Sequence, residues 1–153
     1  MAEAIVKIKM DSGCDDLFPT KAHEGDAAFD LRSSIDYELK FNEVKAIDLG
    51  FAMALEDGWE AQVRPRSGLA LKQGLMIKNS PGTVDKNFRG KVCAIVCYTG
   101  GTESGSNPTF SIKRGDRIAQ MVIKEVPKVI LIPSYTLEES DRGTNGFGSS
   151  GVK

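Results

Sequence analysis

Residues 51–64 read FAMALEDGWEAQVR and contain two runs in which apolar side chains recur at every second position. In the first run large apolar residues are separated by alanines, and in the second run apolar residues alternate with polar ones. A period of two residues predicts β-strands, here Phe51–Leu55 and Trp59–Arg64. Because the turn-forming Glu56-Asp57-Gly58 separates them, the pair is predicted to be a hairpin. The polar row of the second strand is expected to face a wet space.

Other segments extend this pattern over the rest of the chain. Val92–Tyr98 is apolar on both faces and predicts a central strand, and Ile118–Ile123 is similar except that Gln120 interrupts it. Shorter strands are predicted at Ala4–Met10, Met76–Asn79, Thr109–Ile112 and Val129–Ile132. Only Ser67–Gln73, closed by Gly74, is predicted to be helical. Many short strands with 16 glycines and 6 prolines predict an all-β fold, a jelly-roll-like β-barrel or sandwich.

Composition limits the function classes. With 153 residues, 41% hydrophobic residues and a net charge of -1, the chain is expected to form one soluble domain plus a tail. It has no basic excess that favours stable nucleic-acid binding, so an anion site must be local. No apolar run approaches the roughly 20 residues of a membrane span, and no secretory signal is recognised. We therefore expect no membrane association and a cytoplasmic location, or a nuclear one in a eukaryote.

The three cysteines favour reduced, buried, structural thiols over disulfides. Cys93 and Cys97 lie four apart in a predicted strand, which separates them by about 13 Å and prevents a bridge. The cysteines are also odd in number, so they cannot all be paired within the chain. With His23 as the single histidine and no clustered Cys/His spacing, zinc binding is not expected.

The composition changes after Pro133. Residues 1–133 are predicted to form the β domain, and residues 134–153 form a polar, Gly-rich segment that we call the arm. Such a segment cannot bury enough apolar surface to fold alone. Two interpretations stay open, a frayed C-terminus and a mobile lid that orders over a ligand.

Two segments carry candidate chemistry before the arm. Pro65–Ala70 (PRSGLA) puts a cation, a hydroxyl and a glycine at a helix start, which predicts an anion site, although a Ser N-cap beside a surface Arg is an equal alternative. In Asn79–Thr83 (NSPGT), Pro81 and Gly82 predict a type II turn between two extended arms. The exposed backbone of such a hairpin could read the edge of uracil and reject cytosine. Asp85 follows it and is either a turn residue or a catalytic one.

Two further segments carry polar groups in unusual settings. Gln120 is the single polar side chain of an apolar run and needs hydrogen-bond partners, structural or ligand. In Arg142–Gly151 (RGTNGFGSSG), glycines allow backbone N–H groups to wrap a phosphate, Arg142 can bind its oxygens and Phe147 offers a stacking face. This segment is not a P-loop, because no Lys follows its glycines.

Read in order, five segments resemble the five motifs of the homotrimeric dUTPase family. They are Asp26–Ser34 (DAAFDLRSS), Pro65–Lys72, Asn79–Val92 (NSPGTVDKNFRGKV), Arg114–Val122 and Arg142–Gly151. The resemblance implies a magnesium-dependent hydrolase that converts dUTP to dUMP and pyrophosphate. Such an enzyme limits uracil incorporation into DNA and supplies dUMP for thymidylate synthesis. It also implies a homotrimer in which each active site draws on all three subunits.

The resemblance also implies residue roles. Asp85 matches the carboxylate that activates the attacking water, and Asp30 matches the one that, in the family, reaches Mg²⁺ through a bound water. The implied substrate-binding residues are Arg66, Ser67, Gly68, Asn79, Gly82, Thr83, Val84, Phe88, Lys91, Gln120, Arg142, Phe147, Gly148, Ser149 and Ser150.

Three positions depart from the family pattern. Phe88 stands where Tyr usually stacks on the deoxyribose, and it keeps the ring that excludes a 2′-hydroxyl while losing the phenol. Asn145 and Ser150 stand in the arm where Gly and Thr are commoner. Asn tolerates positive φ and Ser retains a hydroxyl, so we expect activity to survive.

Two alternative functions stay open at this point. A dCTP deaminase shares the implied fold and much of the phosphate site, but that family typically carries a catalytic Glu and lacks the Gly-rich aromatic arm. A non-catalytic nucleotide-binding trimer is a second alternative, and an intact Asp85 argues against it.

Overall fold

The computed structural model describes residues 2–153, and these are almost entirely β-structure and loops. The eleven strands of the described residues are β1 Lys7–Met10, β2 Phe29–Arg32, β3 Tyr37–Lys40, β4 Val44–Asp48, β5 Phe51–Ala54, β6 Trp59–Arg64, β7 Leu75–Ile77, β8 Gly82–Val84, β9 Cys93–Tyr98, β10 Thr109–Ile112 and β11 Arg117–Glu125. A 3-10 turn spans Asp15–Leu17, and a short π-helix spans Leu69–Gln73.

The strands pair antiparallel in four small sheets. The largest has the order β2-β11-β6-β8, a second has the order β4-β9-β7, and β1-β5 and β3-β10 form two pairs. Both strands that are apolar on two faces occupy inner positions, β9 between β4 and β7 and β11 between β2 and β6. The predicted all-β fold of the jelly-roll and sandwich class is confirmed.

One hydrophobic core joins all four sheets. Its fully buried members include Leu31 of β2, Leu39 of β3, Ile47 of β4, Phe51 of β5 and Tyr98 of β9. Each such side chain stabilises the fold by roughly 1.5–3 kcal/mol relative to its exposed state. The Tyr98 hydroxyl donates to the Asn107 backbone oxygen at 2.8 Å, which satisfies its one polar atom. The core therefore fixes the large sheet whose outer face carries the candidate site.

The predicted hairpin of residues 51–64 is wrong. Both strands form, but β5 pairs with β1 while β6 pairs with β11 and β8. The Glu56–Gly58 turn therefore connects two different sheets. The predicted division of faces in β6 is confirmed, because Ala61 and Val63 are buried and the polar row lies on the other face.

Other predicted elements need smaller corrections. The first strand begins at Lys7 rather than Ala4, and the predicted 76–79 strand lies at Leu75–Ile77. No strand forms at Val129–Ile132, whose side chains are 68–90% exposed and have no neighbouring strand among residues 2–153. Four strands that the sequence pattern missed are β2, β3, β4 and β8.

The helix predicted beside the site is confirmed, whereas the predicted turn is not. Helical structure does occupy Ser67–Gln73, mostly as the π-helix, and Gly74 closes it in the left-handed region with φ +71°. The predicted type II turn is wrong, since Gly82 does not have positive φ and already begins β8. The Ser80–Pro81 peptide is cis, and the segment leads from β7 to β8 in a different sheet.

All three cysteines are free thiols, Cys97 buried and the other two partly buried. Among residues 2–153, no helix has the length and apolar character needed to cross a membrane.

Candidate active site

The outer face of the large sheet carries a cationic cleft of about 620 Å³. Five of the sequence-predicted site residues meet there, namely Asp30, Arg66, Ser67, Gly68 and Gln120. The cleft also contains charged residues outside the predicted set, namely Asp26, Arg64, Lys72 and Arg117.

Strand register assembles the floor of the cationic cleft. Gln120 on β11 lies opposite Asp30 on β2 and opposite Arg64 on β6. Residues directly opposite one another on antiparallel strands project to the same face. A carboxylate, an amide and a guanidinium therefore stand in one row across three strands.

Asp30 is held between two arginines. Its carboxylate lies 3.5 Å from Arg66 Nε and 3.4 Å from Arg117 Nη1, and its side chain is 16% exposed. Arg66 Nη1 also donates to the Arg117 backbone oxygen at 3.0 Å. These contacts tie the turn after β6 to the start of β11, so both cations are fixed beside the carboxylate.

Gln120 and Arg64 complete the same face. Gln120 Nε2 donates to the Pro65 backbone oxygen at 2.9 Å, which orients the segment that leads to Arg66 and Ser67. Arg64 donates to Gln62 Oε1 at 2.6 and 3.1 Å, and Gln62 in turn donates to Glu60 at 2.6 Å. The polar row predicted from the alternation is therefore a connected hydrogen-bond chain.

The charge balance of this cleft favours an anion. Arg64, Arg66, Lys72 and Arg117 oppose only Asp26 and Asp30 in its lining. The chain as a whole has a net charge of -1, so the positive potential is local, as the composition requires. Ser67 and Gly68 are exposed at the start of the helical segment and leave room for a ligand. Guanidinium groups arranged in this way suit phosphate oxygens.

A second cleft, the β8 cleft, has a volume of about 280 Å³ and shares no lining residue with the cationic cleft. It lies beside β8, the edge strand of the large sheet, and faces β9. Seven predicted site residues meet there, namely Asn79, Gly82, Thr83, Val84, Asp85, Phe88 and Lys91.

The Asn79 side chain packs closely against β8 at the β8 cleft. A Cβ at Gly82 would lie 3.1 Å from Asn79 Nδ2, so the glycine lets the amide fold against the strand. Val84 is buried and anchors β8 to the core, while the next residue, Asp85, is exposed at the mouth. The apolar Val63 and Ile95 contribute to the walls.

The pKa values of two ionisable residues in the β8 cleft are shifted from their ordinary values. Lys91 Nζ lies 3.1 Å from Asp11 and 3.2 Å from Asp48, and hydrogen bonds to these carboxylates raise its pKa. Cys93, which the sequence analysis did not include in the site, has a raised pKa because burial disfavours the thiolate and Asp48 adds repulsion. Lys91 is therefore a cation paired with two carboxylates, and the Cys93 thiol is a neutral part of the cleft wall.

The predicted arm residues join neither cleft. Phe147 is fully exposed, and Arg142, Gly148, Ser149 and Ser150 are exposed as well. Within the described chain, the arm's hydrogen bonds are local, such as that from Arg142 Nε to the Asn145 oxygen at 2.7 Å. The structure thus assembles the predicted residues as two clefts and one detached segment.

The donor set fits a magnesium ion that binds together with phosphates. Mg²⁺ typically uses one or two carboxylates, with waters and substrate phosphates completing its shell. Asp30 and Asp26 both line the cationic cleft and supply such carboxylates. The described residues contain no cluster of three or more acidic, His or Cys ligands, so they do not form a complete protein cage.

Fold and clefts together define an all-β protein of the jelly-roll class with a local cationic cleft whose charge suits an anion. The protein-family model described as dUTPase matches residues 17–151, which include every segment that lines the two clefts and all but the last two residues of the arm. The chain belongs to the dUTPase family.

Two relatives of known name cover nearly the whole chain. The chain is 43% identical over 152 residues to the deoxyuridine 5'-triphosphate nucleotidohydrolase of Caulobacter vibrioides, covering 96% of this chain and 94% of that one. It is 47% identical over 137 residues to the protein of the same name from Clostridium acetobutylicum, covering 90% of each chain.

Solved structures agree in fold. A mutant of the Staphylococcus bacteriophage 80alpha dUTPase, solved with dUpNHpp, superposes with a TM-score of 0.85 at 25% identity and covers 97% of this chain and 99% of that one. A mutant dUTPase of the S. aureus phage phi11, described as coordinating a structural Mg(II) ion, superposes with a TM-score of 0.77 at 20% identity. The match covers 88% of this chain and 99% of that one.

Proposed function

We propose that this chain hydrolyses dUTP to dUMP and pyrophosphate, with Asp85 as the catalytic base. The main evidence for this reaction is membership of the dUTPase family, and relatives named deoxyuridine 5'-triphosphate nucleotidohydrolase support it. The structural support is the coexistence of the β8 cleft, whose lining includes the exposed carboxylate of Asp85, and a separate cleft rich in arginine.

In the proposed reaction, Asp85 orients a water molecule and accepts its proton while the water oxygen attacks the α-phosphorus. The bond from that phosphorus to the α–β bridging oxygen breaks, and pyrophosphate leaves. The dUMP product keeps the oxygen that came from water. Catalysis of this kind depends mainly on positioning and on stabilising charge on the phosphate oxygens.

The β8 cleft would bind the nucleoside. Uracil would hydrogen-bond to Asn79 and to the backbone of Gly82–Asp85, and the Phe88 ring would pack on the deoxyribose. Because uracil and cytosine present different donor and acceptor patterns, backbone groups at fixed positions can distinguish them. Thr83, Val84 and Lys91 line the same space and support this assignment.

The cationic cleft would bind the triphosphate through Arg66, Ser67, Gly68 and Gln120, with Arg64 and Arg117 adding positive charge. Bound magnesium would neutralise phosphate charge, and Asp30 is the residue best placed to hold it. The two arginine contacts of Asp30 keep its carboxylate at the edge of the phosphate site.

We also propose a homotrimer in which the two clefts of different subunits face one another and the arm of a third subunit closes the site. Three observations support this arrangement. The two clefts share no residue, the arm contacts neither of them, and an apolar run remains uncovered in the single chain. That run includes Ile130, Leu131 and Ile132, which are 73–90% exposed. Exposed apolar surface of this kind marks an association site.

The decisive experiment is a magnesium-dependent assay of pyrophosphate release with dUTP, dCTP, dTTP and UTP. We expect efficient release from dUTP alone. Efficient turnover of UTP would contradict the role of Phe88, and binding of dUTP without hydrolysis would favour a non-catalytic nucleotide-binding protein. Release of ammonium from dCTP would instead identify a deaminase.

A further inference from the structure

The ring of Phe88 occupies the space that a side chain at position 90 would need. A Cβ built on Gly90 would lie 2.6 Å from Phe88 Cζ and 3.0 Å from Cε2, and its third-nearest atom is Cε1 of the same ring. A Cβ closer than 3.0 Å to another atom forces something to shift, so a side chain at position 90 would push the tip of the Phe88 ring aside.

Backbone strain does not explain the glycine at this position. Gly90 does not have positive φ, so its backbone conformation is open to any L-residue. The conflict with Phe88 is therefore the specific consequence of adding a methyl group here.

The backbone that carries Phe88 is held from two sides. The Phe88 backbone N–H donates to the backbone carbonyl oxygen of Asp85 at 3.1 Å, which closes a turn directly after the proposed catalytic residue. The Arg89 guanidinium folds back and donates to the oxygens of Lys86 at 2.6 Å and Phe88 at 3.0 Å. With the backbone fixed in this way, the remaining freedom of Phe88 is the direction of its ring, which is 45% exposed.

We propose that Gly90 is a positioning residue for nucleoside selection, because its missing side chain lets the Phe88 ring lie where it excludes a 2′-hydroxyl. This inference rests on the proposed function and concerns how the same site tells dUTP from UTP. A methyl group at position 90 displaces the ring tip by roughly 1 Å, and shifts of that size alter reactivity strongly in a positioned site. The displaced ring no longer fills the space beside the sugar.

The test is a double-mutant cycle made of the wild type, Gly90→Ala, Phe88→Ala and the double variant. For each protein, kcat/KM is measured with dUTP and with UTP, and affinity is measured by calorimetry with dUpNHpp and its ribonucleotide counterpart. We expect Gly90→Ala to lower the preference for the deoxyribonucleotide at least tenfold when Phe88 is present. In the Phe88→Ala background the same change should alter that preference less than twofold, because no ring remains to be displaced.

The matched control is Gly25→Ala, at a glycine that also lacks positive φ and whose added Cβ would meet nothing within 4 Å. It should leave the sugar preference at the wild-type value. An unchanged preference in Gly90→Ala, or an equal loss with and without Phe88, would overturn the inference. Failure of the proposed function is distinct, since the wild type would then not release pyrophosphate from dUTP.

Discussion

Asp85 and Asp30 carry the same carboxylate group but lie in different surroundings. Asp85 is exposed at the mouth of the β8 cleft, whereas Asp30 lies between Arg66 and Arg117. A carboxylate between two arginines already has charged partners, whereas an exposed carboxylate is free to contact a water molecule and accept its proton. The exposure of Asp85 supports its proposed role as the base, whereas the proposed role of Asp30 at the metal rests on the family resemblance.

Asp85→Asn should retain dUTP binding and lose at least about 100-fold in kcat, because removing a positioned general base typically costs 10²–10⁴-fold. The amide keeps the size of the side chain and removes its charge. Calorimetry with dUpNHpp measures binding, and pyrophosphate release measures turnover. A kcat near the wild-type value would refute the role of Asp85.

Alkylation of Cys93 should report on the β8 cleft. Because burial raises the pKa of the Cys93 thiol, the reactive thiolate is scarcer than for an exposed cysteine, and alkylation should reach half its maximum rate only above the ordinary pKa of a thiol. Peptide-level mass spectrometry after iodoacetamide treatment gives the rate. Bound dUpNHpp should protect Cys93 but leave Cys14, which lies in neither cleft, unprotected. Fast, unprotected alkylation of Cys93 at pH 7 would contradict this placement.

The sequence predicted 12 of the residues that line the two clefts and missed the others. Arg66, Gln120 and Asp85 stand in recognisable motifs, whereas Arg64 belongs to the site through its position opposite Gln120 on the neighbouring strand. Arg117 was missed although it lies within the fourth motif, because its contact with Asp30 joins residues 87 apart in the chain. Such contacts depend on long-range pairing, which the alternation in one sequence does not specify.

At the scale of elements, the π-helix is held in place by the loop that follows β9. The N–H groups of Thr102 and Glu103 donate to the oxygens of Leu71 and Lys72 at 2.9 and 2.8 Å. These bonds satisfy carbonyls that a helix end otherwise leaves unpaired. The loop therefore supports the segment that presents Ser67 and Gly68 to the cationic cleft.

Gly74→Ala should lower the free energy of unfolding by about 3 kcal/mol, since it combines positive φ with a direct backbone clash. Gly74 has φ +71°, and a Cβ there would lie 2.0 Å from the Gly100 oxygen. Urea unfolding at one fixed protein concentration measures the change.

Gly105→Ala is the matched control, because Gly105 also has positive φ, +58°, but open space around its Cβ position. We expect it to cost only about 1 kcal/mol, the strain of a left-handed residue. Equal losses in the two variants would show that the close approach of Gly74 to Gly100 does not stabilise the helical segment.

The positions of the strands were easier to predict than which strands pair with one another. β9 and β11 were found because apolar residues on both faces mark an inner strand. The β5–β6 hairpin was wrong because a turn sequence specifies a reversal and not which strand pairs with which. Val129–Ile132 has the composition of a strand, but the single chain offers it no partner among residues 2–153, and it stays exposed.

At the scale of the whole molecule, the single chain leaves its clefts separate and its arm unattached. Val126 N–H donates to the Gly58 oxygen at 2.8 Å, and beyond it the chain runs through the exposed segment Val129–Ile132 to the arm. Burying that apolar run against another subunit would place the start of the arm beside that subunit. The proposed shared site therefore predicts that a defect in Asp85 and a defect in the arm can complement each other.

Two variants test this prediction, one with Asp85→Asn and an intact arm, the other with wild-type Asp85 and a chain that ends after Ser140. Neither homotrimer contains a complete proposed site, so each should be nearly inactive. After unfolding and refolding together, some mixed trimers should combine a normal Asp85 with another subunit's arm, and pyrophosphate release should reappear. If each arm closed over its own Asp85, no mixture could restore a site. Size-exclusion chromatography with a mass-tagged variant establishes that subunits exchanged, and exchange without recovered activity would rule out the arm acting across subunits.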